Sequence, residues 1–350
     1  MNKKTKLILT TLLIYGIPIL LWSFMPYTRN IWGSFTDSFI FNFLFYNKTI
    51  FWPMGIIFDV LFLYCFFTLL YKKESSIDLE KERVFYIFSG VKKLINWIFI
   101  NKIQKEAFLI KEEKISLLFY LVKIYFTPVM LKFLVENVAS LIRVFPETVL
   151  PNITINSLLG FYFPFAFYSM LVIDTLIFTS GYLFESRSLK NVVKSVEPTA
   201  LGWFVAIICY PPVNNLTGNF LGWYSSDFGN FKNVNINLIA GFLSLILFFI
   251  YVWASVALGF KASNLTNRGI VSNGPYKYVR HPAYISKNLS WWIMAIPAIQ
   301  YYGWIAIFSL ASWSFIYFLR ALTEEKHLMQ DQEYIDYIKK VKYMFIPGII

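Results

Sequence analysis

The chain has 350 residues, 57% of them hydrophobic and only 15% charged, with a formal net charge of +12 and a mean hydropathy of +0.55. Soluble domains carry about 25% charged residues. The composition therefore excludes a disordered chain, a collagen and a disulfide scaffold, and favours an all-α, polytopic integral membrane protein over a water-soluble fold. Cys65 and Cys209 both lie in apolar runs and cannot build a metal site by themselves, so no metal is expected.

Eight apolar spans follow in chain order, at 7–25, 50–71, 115–142, 157–183, 199–216, 236–258, 286–300 and 303–320. The long ones exceed the roughly 20 residues that a helix needs to cross a bilayer. The last two are short and share a turn at Tyr301-Tyr302-Gly303, which predicts a tight helical hairpin that stops short of the far side. The first span follows Lys3, Lys4 and Lys6 and has no small-residue cleavage site before Pro26, so it reads as a retained helix.

Basic residues orient these spans. Segments 1–6, 72–114, 184–198, 259–288 and 320–350 hold 26 of the Lys and Arg residues, whereas the alternate loops hold four, Arg29, Lys48, Arg143 and Lys232. That bias places both termini in the cytosol and makes the bilayer, not nucleic acid, the partner of the basic charge. A bacterial inner membrane is the expected location.

Segment 72–114 is the one sizeable cytosolic insertion before the C-terminal region. Its apolar residues between Val84 and Ile98, interrupted by Lys92, Lys93 and Asn96, fit either an interfacial helix or a loosely structured loop. Residues 143–156 and 217–235 read as outer loops. Inside the spans, Lys132 and Glu136 share a helix face and can pair, Lys123 sits two turns from Lys132 across Pro128, and Asp174 lies mid-span. These charges either line a cavity or satisfy one another.

Chemistry concentrates near the C-terminus. A Gly274-Pro275 turn leads to Tyr276-Lys-Tyr278-Val-Arg280-His281-Pro282-Ala283-Tyr284. Pro282 suits the first turn of a helix, which leaves His281 at a helix start where free amides and the dipole favour an anion. After the hairpin comes Arg320-Ala-Leu-Thr-Glu324-Glu325-Lys326-His327-Leu328, in which Arg320 and Glu324 share a face. Both histidines of the chain fall in these two pieces. Glu325 and Lys326 read as a solvated face, and His327, three residues past Glu324, can face either the site or water.

The two pieces, with a hairpin between them and a Glu333-Tyr334-x-x-Tyr337 segment beyond, resemble the isoprenylcysteine carboxyl methyltransferase family, which belongs with the membrane phospholipid methyltransferases. The resemblance covers roughly 236–350 and implies a core there that binds S-adenosylmethionine at the cytosolic face and releases S-adenosylhomocysteine. Region 1–235 is a transmembrane part with no comparable match and no assigned role. Carried residue by residue, the resemblance implies that Arg268, Gly269, Ile270, Val271, Tyr276, His281, Pro282, Ala283 and Tyr284 line the cofactor pocket. It further implies that Glu324 holds the cofactor, that Arg320 orients the substrate, and that Lys261 is a weaker pocket match. The sequence departs from the family pattern at Ser286, where many members have Gly, and in Leu328-Met-Gln-Asp-Gln-Glu333-Tyr334, which lacks a Phe-Gly turn.

The side-chain chemistry is compatible with those roles. Aromatic faces attract a sulfonium, a carboxylate can hold an ammonium, and methyl transfer depends mainly on alignment and charge placement. The expected activity is methyl transfer to a lipophilic or membrane-delivered acceptor, with a carboxylate favoured because it is already ionised. An amine acceptor, as in a phospholipid N-methyltransferase, would need a base, and His281 or His327 would serve. A membrane transporter lined by Lys132, Glu136 and Asp174, or a catalytically inactive membrane protein, is the alternative of another class.

The charge bias predicts that a single cysteine placed at Asn273, in a background lacking Cys65 and Cys209, reacts with an impermeant maleimide only from the cytosolic side. Labelling of intact cells from outside would reverse the topology.

Overall fold

The structure is a computed structural model and describes residues 2–24, 82–100, 108–145, 150–218 and 220–349. The expected span at 50–71, with Arg29 and Lys48, lies outside the described residues. The chain forms two compact units, 1–128 and 129–350.

In the first unit, α1 (Lys3–Phe24) and α2 (Arg83–Ile100) pack through Leu7 and Val84. The first half of α3 (Lys111–Val144) completes the unit. Segment 83–100 is therefore a helix, and it exposes Phe88, Ile95, Trp97, Ile98 and Phe99. Buried Glu113 accepts hydrogen bonds from Ser89 Oγ at 2.7 Å, Lys93 Nζ at 2.7 Å and the Ile110 amide at 3.0 Å. Lys123 lies over the rings of Phe119 at 5.1 Å and Tyr15 at 5.7 Å, so its charge is met by aromatic faces.

The second unit holds α4 (Ile155–Leu183), β1 (Ser195–Val196), α5 (Ala200–Ile207), α6 (Val213–Thr217), α7 (Val234–Leu258), β2 (Thr266–Asn267), α8 (Pro282–Tyr302), α9 (Trp304–Leu328) and α10 (Gln332–Lys340). Its core is α7, packed against α4 on one side and α8 on the other. Small residues set the close α7–α8 approach: buried Ser244 and Ser290 meet with their hydroxyls 2.6 Å apart. Lipid-embedded helices gain little from the hydrophobic effect and rely on such packing. Where the family pattern often has Gly, buried Ser286 donates its hydroxyl to the Pro282 carbonyl at 2.7 Å, so its polar group is satisfied within the helix.

Four helices among the described residues are long and apolar enough to cross a membrane: Lys111–Val144, Ile155–Leu183, Val234–Lys261 and Trp304–Leu328. The expectation of eight spans is thus met only in part, and one span is corrected. Segment 199–216 is not a continuous helix. It breaks into α5 and α6 around Pro211-Pro212, which lack the amides a helix needs. The expected hairpin is present, turning at Gly303 with φ +57°, but its arms run to 21 and 25 residues, and α9 alone satisfies the length and hydropathy of a span.

Of the intramembrane charges, one pair meets its opposite and the third finds uncharged partners. Lys132 pairs with Glu136 at 3.2 Å, and buried Asp174 accepts the hydroxyls of Tyr251 at 2.7 Å and Ser255 at 2.5 Å.

The segment after α7 is held against α4 at Gly181, where a Cβ would strike the Ala262 carbonyl oxygen. Gly181→Ala should therefore lower stability by about 2 kcal/mol through overpacking. Gly160→Ala, which meets nothing within 4 Å, should stay within about 0.5 kcal/mol of the parent. Unfolding titrations in detergent micelles measure both, and equal values would refute this account of the α4 contact.

Candidate active site

A cavity opens where the end of α7, the start of α8 and the end of α9 meet the segments 197–210 and 263–266. Counted with its open mouth, the cavity spans about 1010 Å³. The two motif pieces converge on it. His281, Ala283 and Tyr284 from the first piece and Arg320, Glu324 and His327 from the second all line the same wall.

The α8 start is fixed by its neighbours in the tail of the chain. The Arg280 amide donates to the Tyr343 carbonyl at 3.0 Å, and the His281 amide donates to the Met344 carbonyl at 2.9 Å. Arg280 also grips Glu325 with two nitrogens, at 2.6 and 3.3 Å. Burial alone would weaken the hold of Arg280 on its proton, but the Glu325 carboxylate outweighs it and holds the guanidinium above its ordinary value. His281 Nε2 lies 3.2 Å from the same carboxylate. Glu325 is therefore buried and corrects the expectation of a solvated face, whereas Lys326 is exposed as expected.

Tyr284 joins the two motifs. Its ring stacks on His281 at 5.3 Å, and its hydroxyl donates to Glu324 at 2.7 Å. Arg320 lies over Tyr284 at 5.3 Å and over Tyr210 and Tyr317 at 5.7 Å each, and it donates to Asn264 Oδ1. Tyr276 also lines the cavity. Burial first, and the Glu324 charge second, push its hydroxyl well above the usual phenol value, so it remains a neutral donor.

Other expected residues lie off the cavity wall. Buried Arg268 donates to the Gly181 carbonyl at 2.6 Å and braces α4 against the loop. Gly269 has φ +95°, and its amide donates to Asn267 at 2.8 Å. Ile270 packs against Tyr334, Tyr337 and Val341. Lys261 sits beside Gly269, Val271 is partly exposed, and Pro282 is buried in the opening turn of α8.

Sequence reasoning missed the contribution of 195–210. β1 and β2 pair antiparallel, with Ser195 opposite Asn267, which carries Ser195 and Glu197 onto α9. Ser195 Oγ lies 2.8 Å from His327 Nε2, and Glu197 Oε2 lies 3.8 Å from His327 Nδ1. His327 is buried, so of the two orientations open to it, toward water or toward the site, it takes the inward one. Glu197 is held by the Thr199 amide at 2.9 Å and by the Thr199 hydroxyl. Gly202 leaves it room, because a Cβ there would overlap the Glu197 side chain. The one visible signal was Glu197-Pro198-Thr199, a helix start placed after a polar segment.

A family described as "Protein of unknown function (DUF1295)" matches residues 226–341. No curated protein matches the chain, and no solved structure does. The matched stretch includes both motif pieces and excludes Ser195, Glu197 and Tyr210.

The β1–β2 ladder is tied to α10 through Asp331, which accepts from Asn267 at 2.9 Å and from Lys194 at 3.1 Å. Burial pushes the Asp331 carboxyl up, but these bonds and the Glu333 amide outweigh it and hold it below the ordinary value. A folded-state value below the unfolded one gives stability that is full above the unfolded value, about 3.9, and is lost as pH falls through the folded one. Asp331→Asn should therefore lower the melting temperature at pH 7 and flatten its decline below about pH 4. An unchanged melting profile would show that the clamp contributes nothing.

Proposed function

We propose that this membrane protein transfers a methyl group from S-adenosylmethionine to a lipophilic or membrane-delivered acceptor. The observation that carries the reading is the convergence of two motif pieces, 40 residues apart, on one cavity through the Tyr284–Glu324 hydrogen bond. The matched family, commonly associated with steroid 5-alpha-reductase-like and methyltransferase-like membrane proteins, is compatible with it.

The residues present fit the cofactor. It would supply a methyl group made electrophilic by a sulfonium. Glu324 and Glu197 offer carboxylates for an ammonium. The rings of Tyr276, Tyr284 and Tyr317 offer faces for adenine or sulfonium. The α8 start, with His281, offers amides and a positive dipole end for a carboxylate. Arg320 is placed among the rings, where a planar donor fork can orient a carboxylate acceptor. Such an acceptor needs no base, so alignment and field supply the rate.

A second reading, methylation of an amine or another protonated acceptor, is favoured by one feature. His327 lies on the cavity wall between Ser195 and Glu197, an imidazole of the kind that serves as a base. A transport reading has less support, because Lys132, Glu136 and Asp174 are engaged with partners of their own.

Titrating the detergent-purified protein with S-adenosylhomocysteine should raise its melting temperature, and Glu324→Ala should abolish that shift. Arg320→Ala should keep the shift but lose turnover with a carboxylate acceptor by about a hundredfold. A parent protein that is indifferent to S-adenosylhomocysteine and stabilised by NADPH would replace methyl transfer with reduction.

A further inference from the structure

The cavity has an internal polarity that neither motif accounts for. On α9, Glu324 lies four residues nearer the helix end than Arg320, about 6 Å along the axis. On α8, Tyr284 reaches Glu324, and Lys287 follows one turn deeper on the same face. The acids Glu324 and Glu197 thus lie toward the helix ends, and the cations Arg320 and Lys287 lie a turn inside them.

Lys287 belongs to no motif, yet it lines the cavity. Its ammonium rests over Tyr251 of α7 at 5.0 Å and over Trp291 of α8 at 5.4 Å. Trp291 meets Tyr317 edge-on at 5.2 Å, and Arg320 covers the other ring contacts of Tyr317 and Tyr284. The two cations therefore share one aromatic wall. Among the described residues, neither has a carboxylate within ion-pair distance. Asp174 and Asp227 are within electrostatic reach of Lys287, but beyond direct contact, and Asp174 spends its oxygens on the hydroxyls of Tyr251 and Ser255. Two cations on one aromatic wall, neither in direct contact with a carboxylate, are further stabilised when an anion enters between them.

The surroundings indicate what carries that anion. Leu289 and Ile296 on α8 and Phe249 and Trp253 on α7 are exposed apolar side chains on the helix pair that holds Lys287. A lipid-facing pair of this kind suits an acyl or isoprenoid chain, whereas a free anion would gain nothing from it.

We propose that Lys287 and Arg320 form a second, deeper anion subsite that seats the oxyanion headgroup, carboxylate or phosphate, of a membrane-embedded amphiphile, with Lys287 as a specificity-determining residue. This rests on the methyltransferase reading only for its meaning: the amphiphile is the acceptor, and the cofactor takes the acidic outer end.

Binding of dodecyl phosphate, inorganic phosphate and dodecanol to the full chain in dodecyl maltoside, each with and without S-adenosylhomocysteine, tests the subsite calorimetrically. Dodecyl phosphate should bind, and Lys287→Met should weaken it about tenfold or more, the loss expected for one charge-assisted contact. Lys287→Arg should restore most of the affinity, and S-adenosylhomocysteine binding should change less than about twofold in both variants. Dodecanol binding as tightly as dodecyl phosphate, or Lys287→Met binding it unchanged, overturns the subsite. Inorganic phosphate matching dodecyl phosphate overturns the amphiphile. Loss of S-adenosylhomocysteine binding alone, with the dodecyl phosphate result intact, removes the methyltransferase reading and leaves the subsite standing.

Discussion

One buried carboxylate organises the candidate site. Glu325 takes the guanidinium of Arg280 and the imidazole of His281, and so ties the start of α8 to the end of α9 across the hairpin. Successive helical residues point about 100° apart. With Glu325 turned into that clamp, Glu324 is left facing Tyr284 and the cavity. Two adjacent acids of identical chemistry thus take opposite roles, one holding the fold and one open to a ligand. Removing one member of a buried charge pair leaves the other uncompensated, typically costing about 3–5 kcal/mol, which ties the geometry of the site to the stability of the unit.

Around this clamp the wall is built mainly from tyrosines. Tyr210, Tyr284 and Tyr317 surround Arg320, and Tyr251 supports Lys287. Rings suit a membrane site because they pack as apolar bodies yet attract cations and present a hydroxyl. The same wall can therefore hold basic side chains against ring faces. The 20% aromatic content of the chain has a partial physical account in this arrangement.

The segment 195–210 shows how a site outgrows its motif. A ladder of two residues per strand places Ser195 and Glu197 against His327, which is 132 residues from Ser195. Short strands have no readable period, and the partner residues share no spacing rule. Glu197 brings to the cavity a carboxylate from outside the motif and sets it beside His327.

Composition and hydropathy by themselves determined the helical membrane character and the α8–α9 hairpin, because both are properties of neighbouring residues. That Tyr276, His281, Tyr284, Arg320 and Glu324 belong together was implied by the resemblance of the two-part motif, and all five line one cavity. Only the tertiary structure decided that Glu325 is buried and Glu324 open, that 199–216 breaks at its prolines, that Arg268 braces α4 away from the cavity wall, and that Glu197 and Lys287 face the same cavity. Those outcomes turn on which side of a helix meets which neighbour, and that is set by packing between segments far apart in the chain.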